Sequence, residues 1–221
     1  KKSSKLVTAS RNPLIPSAKK CNNPINGLNG IAFEKDPNGR LIARIISLLC
    51  SMQVKLSVVI ITFNEERNIG RCIESVREVA DEIIVVDSFS TDITKEICEK
   101  MGVRFLQHAF EGHIEQKNWA VGQTTFSNIL SLDADEALSL ELSASIKAAK
   151  GNWLYKAYGM NRLTNYCGKW VKHTGWYPDV KIRLFEKDAG RWGGINPHDK
   201  FIVNPPANIG MLQGDILHYS Y

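Results

Sequence analysis

Apolar residues between positions 56 and 132 occur in short continuous runs that alternate with segments of helical spacing. Leu56–Thr62 is a continuous aliphatic and β-branched run, which is typical of a strand buried on both faces of a sheet. In residues 68–79 the apolar positions recur every three or four residues, which indicates an amphipathic helix. The same alternation continues along the chain and predicts strands at 82–86, 103–106 and 128–132, and helices carrying Ile93, Ile97 and Met101 and spanning 114–121.

This alternation predicts an α/β fold, a Rossmann-like and doubly wound sheet that is mostly parallel and has right-handed crossovers. Ligands of such sheets bind beyond the carboxyl ends of the strands. Polar residues follow three of the predicted strands at that edge: Asn64 and Glu66 the first, Asp87 the second, Asp133 and Asp135 the fourth. We therefore expect the functional site there.

The sequence changes in character after Lys150, where aromatic residues and glycines alternate with charged residues. Residues 181–186 are predicted to form a strand, and Lys187 to Gly190 the turn of a hairpin. The tryptophans of this region could stack on ligand rings, although most are expected to pack against the fold.

Basic charge is concentrated in residues 1–51, which hold nine basic and two acidic residues. Residues 52–221 hold 19 basic and 21 acidic residues, so the charge gives no indication of nucleic-acid binding. The first 51 residues lack periodicity, and we expect a flexible basic extension, with Met52 as the candidate start of the globular domain 52–221. The alternative is a tether to anionic lipid that uses residues 40–50 as an amphipathic patch.

The five cysteines include no C-x-x-C pair and leave an odd thiol, which favours a reducing compartment and hence a cytoplasmic location. Cys72 and Cys98 fall on the apolar faces of predicted helices, where we expect free and buried thiols. No apolar run reaches the roughly 18 residues that a simple transmembrane helix requires.

The segment Asp133-Ala134-Asp135 is the strongest chemical signal, because it follows a predicted buried strand. In extended backbone, residues two apart project to the same side, so the two carboxylates can face one point. Two hard oxygen ligands suit Mg²⁺ or Mn²⁺, especially when a diphosphate supplies further oxygens. The competing interpretation is a solvated loop that caps the next helix.

Asp87 ends the second predicted strand and could accept hydrogen bonds from a base or ribose hydroxyl. The competing interpretation is a capping turn for the following helix. Such a turn explains Ser90, Thr91 and Asp92, but it leaves the charge of Asp87 without a partner.

Four segments resemble, in order, the family 2 glycosyltransferases of GT-A fold: S-V-V-I-I-T-F-N-E-E (57–66), V-V-D-S-F-S-T-D (85–92), Q-K-N-W-A (116–120) and L-D-A-D-E (132–136). The most similar members are bacterial lipopolysaccharide or lipooligosaccharide core β-glucosyltransferases. The resemblance covers about residues 54–221 and includes W-Y-P-D (176–179), K-I-R-L-F (181–185) and L-H-Y-S-Y (217–221). Ser88 departs from it, since many relatives carry a second Asp there. The family pattern continues beyond Tyr221, so we expect a domain truncated at that end.

The resemblance implies the roles of individual residues. The nucleotide site would contain Thr62, Asn64, Glu66, Asp87, Lys117, Asn118 and Asp133. Asp133 and Asp135 would hold the metal, Mg²⁺ or Mn²⁺, against the diphosphate, with His218 as a late third ligand. A lone histidine near a chain end is as often a surface or packing residue.

Inverting transfer also needs a carboxylate that deprotonates the acceptor hydroxyl. Relatives tend to carry a His-acid pair where His198-Asp199 stands, so Asp199 is the first candidate base and Asp179 of W-Y-P-D the second. Either residue could instead be a turn acid beside a proline.

The resemblance thus implies an inverting, metal-dependent transfer of a hexose, glucose from UDP-glucose, to a saccharide or lipid-linked saccharide acceptor in lipopolysaccharide or other cell-surface glycan synthesis. It places the aromatic-rich region on the acceptor side and the enzyme in the cytoplasm, with peripheral contact at the inner face of the cytoplasmic membrane.

Two alternatives stay open at this point. One is a sugar-1-phosphate nucleotidyltransferase, disfavoured because the loop after the first strand lacks glycine. The other is an inactive module that binds sugar nucleotides.

Overall fold

The computed structural model describes residues 53–205 and 208–220. The predictions for the basic extension and for Met52 concern residues outside this part. The described part contains four helices, none of them long and apolar enough to span a bilayer, and eleven strands. The helices are α1 (Ile69–Val76), α2 (Thr94–Lys100), α3 (His113–Gly122) and α4 (Leu140–Gly151). The strands are β1 (Leu56–Thr62), β2 (Glu82–Asp87), β3 (Arg104–Gln107), β4 (Asn128–Asp133), β5 (Glu136–Leu138), β6 (Ala157–Tyr166), β7 (Lys169–Trp170), β8 (Val180–Glu186), β9 (Gly190–Ile195), β10 (His198–Val203) and β11 (Ile209–Tyr219).

A nine-stranded sheet organises the described residues in the order β3-β2-β1-β4-β8-β6-β11-β5, with β7 added to β6. Strand β1 pairs in parallel with both β2 and β4, and β2 pairs in parallel with β3. The predicted α/β fold with a doubly wound sheet is therefore confirmed. The carboxyl ends of the parallel strands β1, β2 and β4 meet at one edge of the sheet. The polar residues that follow these strands therefore lie at that edge, as predicted.

Apolar side chains cover both faces of this sheet. One face packs against α1, α2 and α4, with Ile73, Cys98 and Ile146 fully buried among them. The other face packs against α3 and the β9–β10 hairpin, through residues such as Ala120 and Trp192. Every residue of β1 is buried, as its continuous apolar run predicts.

The second half of the sheet is mixed rather than parallel. Strand β8 lies antiparallel between β4 and β6, whereas β11 runs parallel to β6 and antiparallel to β5. The predicted hairpin at Lys187–Gly190 is wrong. The chain does turn there, with the amide of Ala189 donating to the carbonyl of Glu186 at 2.9 Å. Both edges of β8 are already occupied by β4 and β6, so β9 leaves the sheet and pairs with β10 instead.

The thiols of Cys72 and Cys98 are free and buried, as their positions on the apolar helix faces predict. Burial raises the pKa of Cys98 to about 12. At neutral pH this side chain is a small apolar group of the core.

An ion pair fixes the start of β1. The carboxylate of Asp81 accepts hydrogen bonds from the amide of Leu56 at 2.9 Å and from Lys150 Nζ at 2.7 Å. Lys150 is buried, and its ammonium group also donates to the carbonyl of Val79 at 2.6 Å. Partial burial raises the pKa of Asp81, but hydrogen bonds from Lys150, Lys55 and the Leu56 amide outweigh it and hold the pKa below its ordinary value.

We expect Asp81→Asn to lower the free energy of unfolding at pH 7 by about 2 kcal/mol, because it leaves the Lys150 ammonium buried without a counter-ion. The pKa of the Asp81 carboxyl is lower in the folded than in the unfolded state. The stabilisation that ionised Asp81 provides is therefore present above roughly pH 4 and is lost as the pH falls further. Urea unfolding at pH 7 and pH 3 measures this.

The difference between wild type and Asp81→Asn should shrink at pH 3. Glu78→Gln, which removes an exposed pair with Lys147, is the control and should have little effect at either pH. An equal loss for Asp81→Asn at both pH values would show that the stabilisation does not depend on the charge.

Candidate active site

Two cavities open where β1 and β4 end. The first cavity, about 540 Å³, is lined by residues that include Thr62, Phe63, Ser88, Gln116, Asp135 and His218. The second cavity, about 490 Å³, is lined by residues that include Lys117, Arg162, Lys181, Arg183, Asp199 and Lys200. Asp133 and His113 line both. The last residue of β4 thus lies at the junction of two adjoining spaces.

The carboxylate of Asp133 is held between two buried cations. Lys117 Nζ, from α3, lies 3.0 Å from Oδ1, and Arg183 Nη2, from β8, lies 3.0 Å from Oδ2. Burial by itself raises the pKa of Asp133, but the charges of Lys117 and Arg183 outweigh it and hold the pKa well below its ordinary value. Asp133 is therefore ionised, and its orientation is fixed by these two ion pairs.

Arg183 and Glu136 form a second, fully buried part of this network. Arg183 Nη2 lies 2.7 Å from Glu136 Oε1, and the amide of Asp133 donates to Glu136 Oε2 at 3.0 Å. Burial raises the pKa of Glu136 despite the opposing charge of Arg183. Sequence reasoning missed Arg183. A charged residue between Ile182 and Leu184, inside an apolar strand, is the signal that could have found Arg183.

Strand β11 brings His218 next to Asp135. Its antiparallel pairing with β5 sets His218 opposite Glu136 in the register. His218 Nε2 consequently lies 3.1 Å from Asp135 Oδ2, and Thr164 Oγ1 lies 3.2 Å from the other ring nitrogen. Thr164 thus orients the imidazole as a partner of a metal-binding histidine does.

Asp135 and His218 fit a divalent metal ion, because a carboxylate oxygen and an imidazole nitrogen face the same cavity. Asp133, the other carboxylate predicted to bind the metal, is instead paired with Lys117 and Arg183. Among residues 53–205 and 208–220, no three His, Cys, Asp or Glu side chains are arranged to hold a metal ion. Mg²⁺ is commonly bound by one or two carboxylates together with substrate phosphates, so two protein ligands are compatible with such a site.

Asp199, the first candidate base, is the second residue of β10 and lines the second cavity. Its Oδ2 lies 2.8 Å from Lys117 Nζ, whereas its Oδ1 accepts no hydrogen bond within the described part of the chain. Asp179, the second candidate, is held by Arg162 and Lys181 at 2.9 Å each and lines neither cavity. The geometry therefore favours Asp199.

Thr62 and Ser88 are the polar residues of the β1 and β2 ends that reach the first cavity. Thr62 is buried, and its hydroxyl has no hydrogen-bond partner among the residues described. Ser88, at the position where many relatives carry Asp, accepts from Gln116 Nε2 at 3.1 Å. The side chain of Gln116 thus ties α3 to the end of β2.

Three of the residues predicted to bind nucleotide instead connect loops beside the first cavity. Asn64 Oδ1 accepts from the amide of Thr91 at 2.8 Å, and Glu66 Oε2 accepts from the amide of Ile93 at 3.4 Å. Asp87 is fully buried and accepts from both the amide and the hydroxyl of Ser90. The capping turn therefore does supply a partner for the charge of Asp87. None of the three residues lines the first cavity.

Lys117 and Asn118 are neighbours on α3 but point in different directions. Lys117 reaches Asp133 and Asp199, whereas both polar atoms of the Asn118 amide bond to the backbone of Trp192, at 3.0 and 3.1 Å. Asn118 thus anchors the β9–β10 hairpin to α3, and it lines neither cavity.

A sequence model described as Glycosyl transferase family 2 matches residues 57–200. The match includes the four parallel strands, both Lys117 and Asp199, and the junction at Asp133. The chain belongs to glycosyl transferase family 2. The match ends before His218, so the histidine beside Asp135 is supplied by a segment outside it.

Curated relatives place this family 2 chain among bacterial glycosyltransferases. An uncharacterized glycosyltransferase of Rickettsia typhi is 36% identical over 177 residues, which cover 75% of this chain and 60% of the relative. The lipopolysaccharide core biosynthesis glycosyltransferase LpsC of Rhizobium meliloti is 37% identical over 182 residues, which cover 76% of this chain and 64% of LpsC. The chain spans about 60% of the length of the curated relatives it matches.

Among solved structures, residues 1–349 of Staphylococcus aureus TarS, in complex with UDP-GlcNAc, have a similar fold. The TM-score is 0.59 at 18% identity, over 76% of this chain and 59% of TarS. This likeness confirms the GT-A fold that the sequence resemblance implies.

Proposed function

We propose that this chain is an inverting glycosyltransferase that moves a hexose, glucose from UDP-glucose, to a saccharide acceptor. The observation that carries the proposal is the junction at Asp133, where a cavity containing Asp135 and His218 adjoins one containing Asp199. Transfer between two substrates requires donor and acceptor spaces side by side. TarS, whose structure contains UDP-GlcNAc, shares the fold, which supports a nucleotide sugar as the donor.

The first cavity is the proposed donor site. Phe63 is exposed at its wall and offers a ring against which a base can stack, and the unpartnered Thr62 hydroxyl can bond to the nucleotide. Asp135 and His218 would hold Mg²⁺ or Mn²⁺, which when bound stabilises negative charge on the departing diphosphate. Lys117 and Arg183 keep Asp133 ionised and fixed beside this space.

The second cavity is the proposed acceptor site, with Asp199 as the general base. The acceptor hydroxyl oxygen forms the new bond to the anomeric carbon of glucose while the bond from that carbon to the diphosphate oxygen breaks. The bonding electron pair leaves with UDP, and Asp199 Oδ1 takes the proton of the hydroxyl. Attack from the face opposite the leaving group inverts the anomeric configuration.

The cellular setting is part of the same proposal. The similarity to LpsC, a lipopolysaccharide core biosynthesis glycosyltransferase, supports a role in lipopolysaccharide core synthesis or in the synthesis of another cell-surface glycan. A cytoplasmic enzyme with peripheral contact at the inner face of the membrane would meet a lipid-linked saccharide acceptor there.

The proposal is tested by measuring release of UDP from UDP-glucose with Mn²⁺, with and without bacterial core oligosaccharide. We expect slow release without an acceptor and faster release with one, both abolished by EDTA. Conversion of glucose 1-phosphate and UTP to UDP-glucose, with no UDP release, would identify a nucleotidyltransferase instead.

A further inference from the structure

The two cavities differ in charge. Among the residues that the structure describes, the first is lined by three carboxylates, Glu65, Asp133 and Asp135, and by no Lys or Arg. The second is lined by five Lys or Arg side chains and two carboxylates; the cations are Lys117, Arg162, Lys181, Arg183 and Lys200. A neutral sugar requires no such excess of cations, whereas an anion is attracted by it.

Some of this positive charge is not compensated by the protein. Lys117 and Arg183 together pair with three carboxylates, those of Asp133, Asp199 and Glu136. Arg162 and Lys181 share the single carboxylate of Asp179, so the five cations face four carboxylates. Lys200 forms no ion pair or hydrogen bond with its side chain in residues 53–205 and 208–220.

Arg183, at the wall of this cavity, has donor atoms without a partner among the described residues. Arg183 is only 4% exposed. Its Nη2 binds Asp133 and Glu136, but its buried Nε and Nη1 have no hydrogen-bond partner within the described chain. Buried donors of a charged group are rarely left unpaired, so these two unpartnered donors at the cavity wall favour an anionic partner.

We infer that the second cavity binds an acceptor that carries an anionic group, a phosphate or a carboxylate, near the hydroxyl that receives the sugar. The inference rests on the proposed function, because it takes this cavity as the acceptor site. The diphosphate of the donor is a weaker explanation of the cations. Arg162, Lys181 and Lys200 do not line the first cavity, which contains Asp135 and His218.

Three sugars that differ in charge test the inference: glucose, glucose 6-phosphate and glucuronate. Each is titrated calorimetrically into the protein, both alone and saturated with UDP and Mn²⁺. We expect the two anionic sugars to bind about tenfold more tightly than glucose, because charge-assisted hydrogen bonds are stronger than hydrogen bonds between neutral groups. Preference for glucose 6-phosphate indicates a phosphate on the acceptor, and preference for glucuronate a carboxylate.

Lys200→Gln should weaken binding of the preferred anionic sugar about fivefold and leave the affinity for UDP unchanged. Arg191→Gln is the matched control, since Arg191 lies on the same hairpin but does not line the second cavity. It should change neither affinity.

Three results would overturn the inference: equal binding of glucose and the anionic sugars, equal effects of Lys200→Gln and Arg191→Gln, or a loss of UDP affinity in Lys200→Gln as large as the loss for the sugar. Failure of UDP to bind the wild type would contradict the proposed function instead, and the titrations without UDP still decide the inference.

Discussion

Asp135→Asn is expected to abolish release of UDP from UDP-glucose, with a rate loss of at least about a hundredfold, and to leave the fold intact. Loss of one of the two proposed metal ligands removes several kcal/mol of stabilisation from the departing diphosphate. Only the hydrogen bond to His218 involves the Asp135 side chain in the described structure, so little stability depends on it.

The measurement is the rate of UDP release at saturating Mn²⁺, together with the melting temperature. Asp188→Asn is the control, because this exposed carboxylate lines neither cavity, so the substitution should leave the rate unchanged. A near-wild-type rate for Asp135→Asn would contradict the assignment of Asp135 to the metal.

Asp199→Ala is expected to reduce transfer to the acceptor by a factor on the order of 10² to 10⁴, the usual loss when a general base is removed. The affinity for UDP should stay nearly unchanged, because Asp199 lines only the second cavity. The fold should also survive, since Lys117 keeps its ion pair with Asp133. Transfer rates and calorimetric titration of UDP with Mn²⁺ measure the two effects.

Asp199→Asn and Asp179→Ala are the companion variants. Asp199→Asn keeps the shape of the side chain and should lose as much transfer as Asp199→Ala. Asp179→Ala should lose less, because Asp179 lines neither cavity and is paired with Arg162 and Lys181. Normal transfer by Asp199→Ala, with failure of Asp179→Ala at unchanged UDP affinity, would show that the two roles are reversed.

The sequence predicted the part of the fold whose information is local. Continuous apolar runs such as Leu56–Thr62 and amphipathic helices alternate along the chain, and this alternation fixes a parallel sheet and the edge where its ligands bind. The pairing of β8 with β4 and β6 depends on contacts that are distant in sequence. Periodicity therefore predicted strand β8. It did not predict that the strand after the following turn, β9, pairs with β10 and not with β8.

The candidate site divides in the same way. The Asp133-Ala134-Asp135 segment was visible because its residues are adjacent. The contact between Asp135 and His218 joins residues 83 positions apart, and the register of β11 on β5 creates it, so only the family resemblance suggested it. The same limit hid the pairing of Arg183 with Glu136 and Asp133.

Calorimetric titration of UDP into the wild-type protein tests the central claim most directly, namely that the first cavity is a metal-assisted nucleotide site. With Mn²⁺ present, we expect one UDP per chain, displacement of UDP by UDP-glucose, and much weaker binding after EDTA or in Asp135→Asn. Undiminished binding in both EDTA and Asp135→Asn, or no binding of UDP at all, would contradict it.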